Sequence, residues 1–155
     1  MRCFSSMHVI KTEQLLPISL DEAWRFFATP NNLNAITPAD MKFEILSEVP
    51  AEMYEGLLIT YTIKPFLNIP MRWVTEITHI KHQQFFVDEQ RIGPYRMWHH
   101  EHHFKPVPGG VLMTDIVSYD IGKWVLGWLA GKLFVHRMVN SIFAYRHTKL
   151  EQLFK

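Results

Sequence analysis

The chain has 155 residues, 48% hydrophobic and 20% charged, with 16 basic residues against 15 acidic ones for a formal charge of +1. A chain of this length buries a core without covalent staples, and its near-neutrality lacks the basic footprint of a nucleic-acid binder. One cysteine, Cys3, excludes an internal disulfide and any zinc site built from several thiolates.

The opening residues "MRCFSSMHVIKTEQLL" carry no apolar run of signal-peptide length. The most hydrophobic stretch, "WVLGWLAGKLFV", contains Lys132 and is shorter than the roughly 20 residues a transmembrane helix needs. A cytoplasmic protein with no transmembrane segment is therefore expected. Aromatic residues make up 14% of the chain, a supply that suits either a large core or an apolar cavity.

"MHVIKTEQLL" alternates loosely and predicts a first strand, ended by Pro17. In "SLDEAWRFFATP", Ser19 with Glu22 three residues on is a capping-box signature. Ala23, Trp24, Phe26 and Phe27 form the apolar face of a short helix that Pro30 stops. "NNLNAI" predicts a second short helix before Pro38. Strands follow at "MKFEIL", at the β-branched "GLLITYTI", at the alternating "MRWVTEITHI", and at "QFFVDEQRI", which runs into the turn signal Gly93-Pro94. "YRMWHHEHHF" and "VLMTDIVSYDI", joined by "PVPGG", read as a hairpin.

From about Gly127 the period changes. Val135, Val139, Ile142, Arg146, Leu150 and Leu153 fall at steps of three and four, one face of a long helix, with Met138, Phe143 and Phe154 widening the stripe. Arg146 is the exception within it. A buried guanidinium needs a partner, so Arg146 is expected to meet an acid or to reach solvent through a cavity mouth. The order of strand, two short helices, about six strands and one long helix defines an α+β architecture, an antiparallel sheet with helices on one face. No repeat or linker divides it, so residues 1–155 read as one domain.

Four of the nine histidines stand within five residues of "WHHEHHF". Strand alternation splits them. Trp98, His100, His102 and Phe104 form the more apolar face, assigned to the interior, and His99, Glu101 and His103 the solvated one. On the next strand Met113, Asp115, Val117, Tyr119 and Ile121 form the apolar set. A four-residue loop pairs Pro106 with Val111, and a two-residue loop pairs Pro108 with Val111. Both keep His100, His102, Asp115 and Tyr119 on one face, and the first sets His102 opposite Asp115 and Trp98 opposite Tyr119.

Buried imidazoles need partners, and three roles compete for this pair. His-x-His with Asp115 as third ligand and water as fourth would hold zinc. Two imidazoles and one carboxylate leave that signature incomplete, so no metal and no cofactor is expected. A His–Asp dyad drawn from His100, His102 and Asp115 would act as general acid and base. The favoured reading is a hydrogen-bonded network that shapes a pocket and orients a polar ligand group. No nucleophile motif, phosphate-cradling loop or dinucleotide fingerprint favours an enzyme.

The segments "LPISLDEAWRFFATPNNLNAITP", "FFVDEQRIGPYRMWHHEHHF", "VLMTDIVSYDI" and "IFAYRHTKLEQLF" resemble the START-like (SRPBCC, helix-grip) superfamily over nearly the whole chain. More narrowly they resemble its bacterial ligand-binding members of unassigned function, some of them fused to an epimerase-like "cell-division inhibitor" domain. The resemblance implies a curved antiparallel sheet of six or seven strands around the long C-terminal helix, enclosing a hydrophobic cavity. It also implies a ligand such as a lipid, sterol, polyketide, plant hormone or quinone, a minority of members being cyclases or aromatases. The subgroup's pattern falls on Asp88, Gln90, Gly93, Pro94, Trp98, His100, His102, Phe104, Asp115, Tyr119, Tyr145 and Arg146. The face of Asp88 and Gln90 stays open, because a tight Gly93-Pro94 turn would set them opposite the odd-numbered outer residues.

The favoured function is non-catalytic binding or carriage of a hydrophobic small molecule with one polar end. Its apolar body would rest on Trp73, Trp98, Phe104, Val117, Met138 and Ile142, and its polar end on His100, His102, Asp115, Tyr119 and Arg146. The alternative is a cyclase- or dehydratase-like enzyme using the His–Asp dyad. A third reading gives Trp124 to Trp128 to a membrane or partner surface; its plainer counterpart is a helix start packed over the cavity.

Overall fold

The computed structural model describes residues 7–64, 67–122 and 128–155, with side chains at all of these except 128–132. Strand β1 (His8–Leu16) leads into helix α1 (Leu20–Phe27), and two short 3-10 helices follow at Pro30–Ile36 and Ala39–Met41. Strands β2 (Glu44–Ile45), β3 (Leu58–Ile63), β4 (Met71–Lys81), β5 (Phe85–Ile92), β6 (Met97–Val107) and β7 (Gly110–Asp120) precede helix α2 (Trp128–Leu153). The expected strand at "MKFEIL" is reduced to the two residues of β2, and "NNLNAI" forms a 3-10 helix.

Pairing is antiparallel throughout, and the sheet order is β1-β7-β6-β5-β4-β3-β2. β2 to β7 form a meander, and β1 returns to close against β7, so the two ends of the sheet's sequence lie side by side. This is the α+β, helix-grip arrangement: a seven-stranded antiparallel sheet, short N-terminal helices and one long C-terminal helix.

The local reasons are legible. Ser19 accepts from the Glu22 amide at 3.2 Å while the Glu22 carboxylate accepts from the Ser19 amide at 2.9 Å, the reciprocal capping box. Ala23, Trp24 and Phe27 turn inward from α1. They meet Phe104, Phe86, Ile59 and Leu150 in one core cluster. A second cluster, with Ile10, Trp73, Tyr95, Val117, Tyr119, Val139 and Phe143, joins α2 to the middle of the sheet. Along α2 the expected stripe buries Val139, Phe143, Arg146 and Leu150, whereas Leu153 at its C-terminal end is 44% exposed. There the neighbouring Phe154 takes up the packing instead, edge-on to Phe26 at 5.0 Å between centroids.

The β6–β7 hairpin keeps Pro106 opposite Val111 and closes with Val107 opposite Gly110, leaving Pro108 and Gly109 at the tip. Gly109 and Gly110 both have positive φ, of 89° and 146°. A Cβ on Gly109 would meet open space, but one on Gly110 would run into the Leu16 carbonyl oxygen, where the end of β1 crosses the hairpin. Gly109→Ala should therefore cost only the left-handed backbone penalty, about 1–2 kcal/mol. Gly110→Ala should cost distinctly more by displacing β1. Urea denaturation midpoints of the two variants check this ordering.

Candidate functional site

Between the sheet and α2 lies a cavity of about 790 Å³. Its walls are predominantly apolar, with Trp73, Trp98, Tyr95, Phe86, Met138 and Ile142 among them. Asp88, His100, His102, Thr75 and Arg146 supply the polar and charged groups that reach it.

Alternation places His100 and His102 inward, 5% and 2% exposed, with Asp115 opposite His102 on β7. His100 Nε2 donates to Asp115 Oδ1 at 3.1 Å. His102 Nδ1 stands 2.9 Å from the same oxygen, although it is not aligned for a hydrogen bond. The two rings lie 3.7 Å apart between centroids, and His102 stacks on Phe86 at 4.1 Å.

Asp88 completes the group from β5. The sequence leaves its face open, since a tight Gly93-Pro94 turn would set it outward; the structure turns it inward. The β5–β6 ladder pairs Asp88 with His100 and Glu89 with His99, one step from the tight-turn register. The connection is a wider loop braced by Gln90, whose amide nitrogen donates to the Tyr95 carbonyl at 2.6 Å and whose amide oxygen accepts from the Tyr95 N–H at 3.2 Å. Asp88 thus faces inward: Oδ2 accepts from His102 Nε2 at 2.7 Å and lies 3.4 Å from His100 Nδ1. Gln90 is spent on the loop.

Arg146, 9% exposed, enters from α2 with its guanidinium 5.6 Å from the Phe27 ring centroid. Among the described residues it makes no contact-distance ion pair, and its Nε is buried without a hydrogen-bond partner. Its charge acts at longer range on Asp115 and Asp88.

These fields set the protonation states. Burial pushes the Asp115 carboxyl up, but Arg146 and the two imidazoles outweigh it and hold it well below the usual carboxylate range. Asp88 is lowered in the same way, with burial opposed chiefly by His100 and His102. Burial also disfavours a charged His102, yet the two carboxylates, Asp115 beside it and Asp88 bonded to it, prevail and raise it. His100 goes the other way, lowered by burial and by the neighbouring His102 charge. The pattern inside is two carboxylates held below their usual range, one imidazole shifted toward its charged form, one shifted toward its neutral form, and a guanidinium.

Of the residues proposed from sequence, Trp73, Trp98, His100, His102, Met138, Ile142 and Arg146 line the cavity. Asp115 sits behind the histidines, against a minor cleft with Gln14 and Leu150. Phe104, Val117 and Tyr119 have the inward orientation but lie outside the cavity wall. Phe104 packs on Trp24 and Phe27, and Val117 is wholly buried in the core. Tyr119 hydrogen-bonds His136 Nδ1 at 2.8 Å. Tyr145 is 37% exposed on α2. Trp124 lies outside the described residues, as does the side chain of Trp128.

Sequence reasoning missed Tyr61, Thr75, Phe86 and Tyr95 as wall residues. The Tyr61 hydroxyl meets Thr75 Oγ1 at 3.1 Å, and burial raises the Tyr61 phenol strongly. The inward parity of Thr75 and Phe86 with Trp73 and Asp88 was the available signal. The outer histidines have acidic neighbours, His99 with Glu89 at 2.8 Å and His103 with Glu101 at 2.8 Å, on the half-exposed face.

No known family's sequence profile matches the chain, and no curated protein does. Solved structures do match over nearly full length. A protein from Nitrosomonas europaea is 12% identical with a TM-score of 0.68, covering 94% of this chain and 92% of that one. Ara h 8.0201 is 15% identical with a TM-score of 0.60, covering 95% and 99%. Ginseng major latex-like protein 151 from Panax ginseng is 14% identical with a TM-score of 0.59, covering 91% and 97%. The chain therefore has the START-like helix-grip fold. Among the described residues no helix is long and apolar enough to cross a membrane.

Because the folded-state pKa values of Asp88 and Asp115 lie below their unfolded ones, the folded chain binds fewer protons in acid. Their contribution is complete above the unfolded value near 4 and is lost as pH falls through the depressed values. His102, raised, contributes below its unfolded value near 6.5, and that share fades as pH rises through its folded one. Asp115→Asn should flatten the acid limb of the stability–pH profile. It should also destabilise at neutral pH by about 3 kcal/mol, since it removes the carboxylate facing the buried Arg146. Denaturant melts across pH 3–8 measure both effects.

Proposed function

We infer that this chain binds or carries a hydrophobic small molecule of lipid, polyketide or quinone-like character, with one oxygen-bearing polar end. The observation that carries the reading is the distribution of chemistry in the cavity. A mostly apolar chamber of about 790 Å³ with a few convergent polar groups has the composition of a small-molecule site. Trp73 and Arg146, both in its wall, each keep a buried N–H donor without a partner among the described residues. Such donors suit an acceptor oxygen on the ligand.

Holding is favoured over turnover by the same geometry. His102 is clamped between two carboxylates, its Nε2 on Asp88 and its Nδ1 beside Asp115. A cyclase- or dehydratase-like acid would have to give up a proton that Asp88 holds through its bond to Nε2. If the dyad nevertheless does chemistry, His102→Ala and Asp115→Asn would abolish turnover while sparing ligand binding.

Native mass spectrometry of freshly purified protein should show a co-purifying adduct. Ile142→Trp, which fills the chamber from α2, should lower its occupancy at least tenfold with an unchanged circular dichroism spectrum. Protein that is empty in every preparation and binds nothing from a lipid panel would overturn the reading.

A further inference from the structure

We propose that Asp88, His100 and His102 form a mononuclear site for a divalent transition-metal ion in the cavity wall. One ligand atom from each can be chosen so that all three lie within 4.8 Å of one another, with both imidazoles buried. Two donors each about 2.1 Å from a common ion stand roughly 3.0–3.4 Å apart at octahedral or tetrahedral angles. The Asp88 Oδ2 separation from His100 Nδ1 is 3.4 Å, within that range, and from His102 Nε2 it is 2.7 Å, a hydrogen bond that would lengthen by a few tenths of an ångström as an ion replaced its proton. The carboxylate comes from β5 and the imidazoles from alternate positions on β6, so two ladder-paired strands hold the set.

The outer groups fit the same purpose. A metal-bound imidazole characteristically donates its other ring N–H to a carboxylate, which fixes tautomer and orientation. His100 does so through Nε2 to Asp115 Oδ1 at 3.1 Å, leaving the Nδ1 lone pair toward Asp88. His102 presents Nδ1 to that same oxygen at 2.9 Å. One buried carboxylate thus backs both imidazoles, with the Arg146 charge behind it. Asp115, the third ligand of the zinc reading disfavoured from sequence, serves instead as the supporting acid, and the register of β5 supplies Asp88 as the ligand.

Three protein ligands leave at least one coordination position open, and all three residues line the cavity. Two imidazoles and one carboxylate suit zinc or ferrous iron over magnesium or calcium. An ion bound there would displace the proton shared by His102 and Asp88 and present a Lewis acid to an oxygen of whatever the chamber holds. The site does not rest on the chamber carrying an apolar ligand, and the metal alone is its probe.

Chelator-stripped protein should be titrated with Co(II) by visible absorption and with Zn(II) by calorimetry. One ion per chain is expected. Asp88→Asn and His100→Gln should each weaken binding at least tenfold. Asp115→Asn should weaken it 10–100-fold, the usual range for a supporting carboxylate, with one-to-one stoichiometry retained. The double substitution His99→Gln with His103→Gln on the outer face should leave binding unchanged. In the wild type, where folding is not in question, Zn(II) should shift the ring resonances of His100 and His102 and spare those of His99 and His103. Absence of saturable binding to folded wild type, or shifts confined to the outer pair, would overturn the proposal.

Discussion

Asp115 is the interaction on which the interior depends. A carboxylate 6% exposed is tolerable only when it is ionically and hydrogen-bond compensated. Here the compensation comes from three directions at once: His100 and His102 on β6 and Arg146 on α2. The histidines carry the link onward to Asp88 on β5. One buried acid therefore sits within the field of the long helix's Arg146 and links side chains of three neighbouring strands. Removing either sign of charge would leave the other stranded, so the group behaves as a unit.

Apolar packing divides around that unit. α1, the start of β5 and β6 build a dense aromatic cluster from Trp24, Phe27, Phe86 and Phe104, with edge-to-face pairs at 5.7–6.1 Å between centroids. Farther along the sheet, Trp73, Tyr95 and Trp98 form another set of tilted and edge-on pairs. The first cluster reaches the chamber only through Phe86, whereas all three rings of the second line it. The ionic group lies between them, at the boundary where packing gives way to cavity, and this gives the chamber a polar wall.

Alternation was enough to assign faces, because period-two patterning survives almost any strand pairing. It split the histidine run correctly between buried and half-exposed sides. It could not assign depth along a face, so Phe104, Val117 and Tyr119 share the orientation of His100 without reaching the cavity. The β6–β7 register was legible because "PVPGG" admitted only even-length loops in the choices considered. The β5–β6 register was not, because its loop is braced by the Gln90 side chain and a glutamine's hydrogen bonds to a distant backbone leave no periodic trace. Arg146 stood out as a charge in an apolar stripe, and its long-range partners could not be named until β5, β7 and α2 were placed together.

The Gln90 brace has a consequence for how such a chamber can change. Residues 90–98 connect the two members of the last β5–β6 pair, Glu89 and His99. Loss of one loop residue would slide β5 by one step against β6 and rotate every side chain of β5 to the opposite face. Asp88 would leave the interior and Glu89 would enter opposite Trp98, away from the histidines. The chamber's charge is thus encoded as much in the length of a surface loop as in the identity of the residues that line it. An insertion or deletion at the rim could rewrite the polar wall without a single substitution inside.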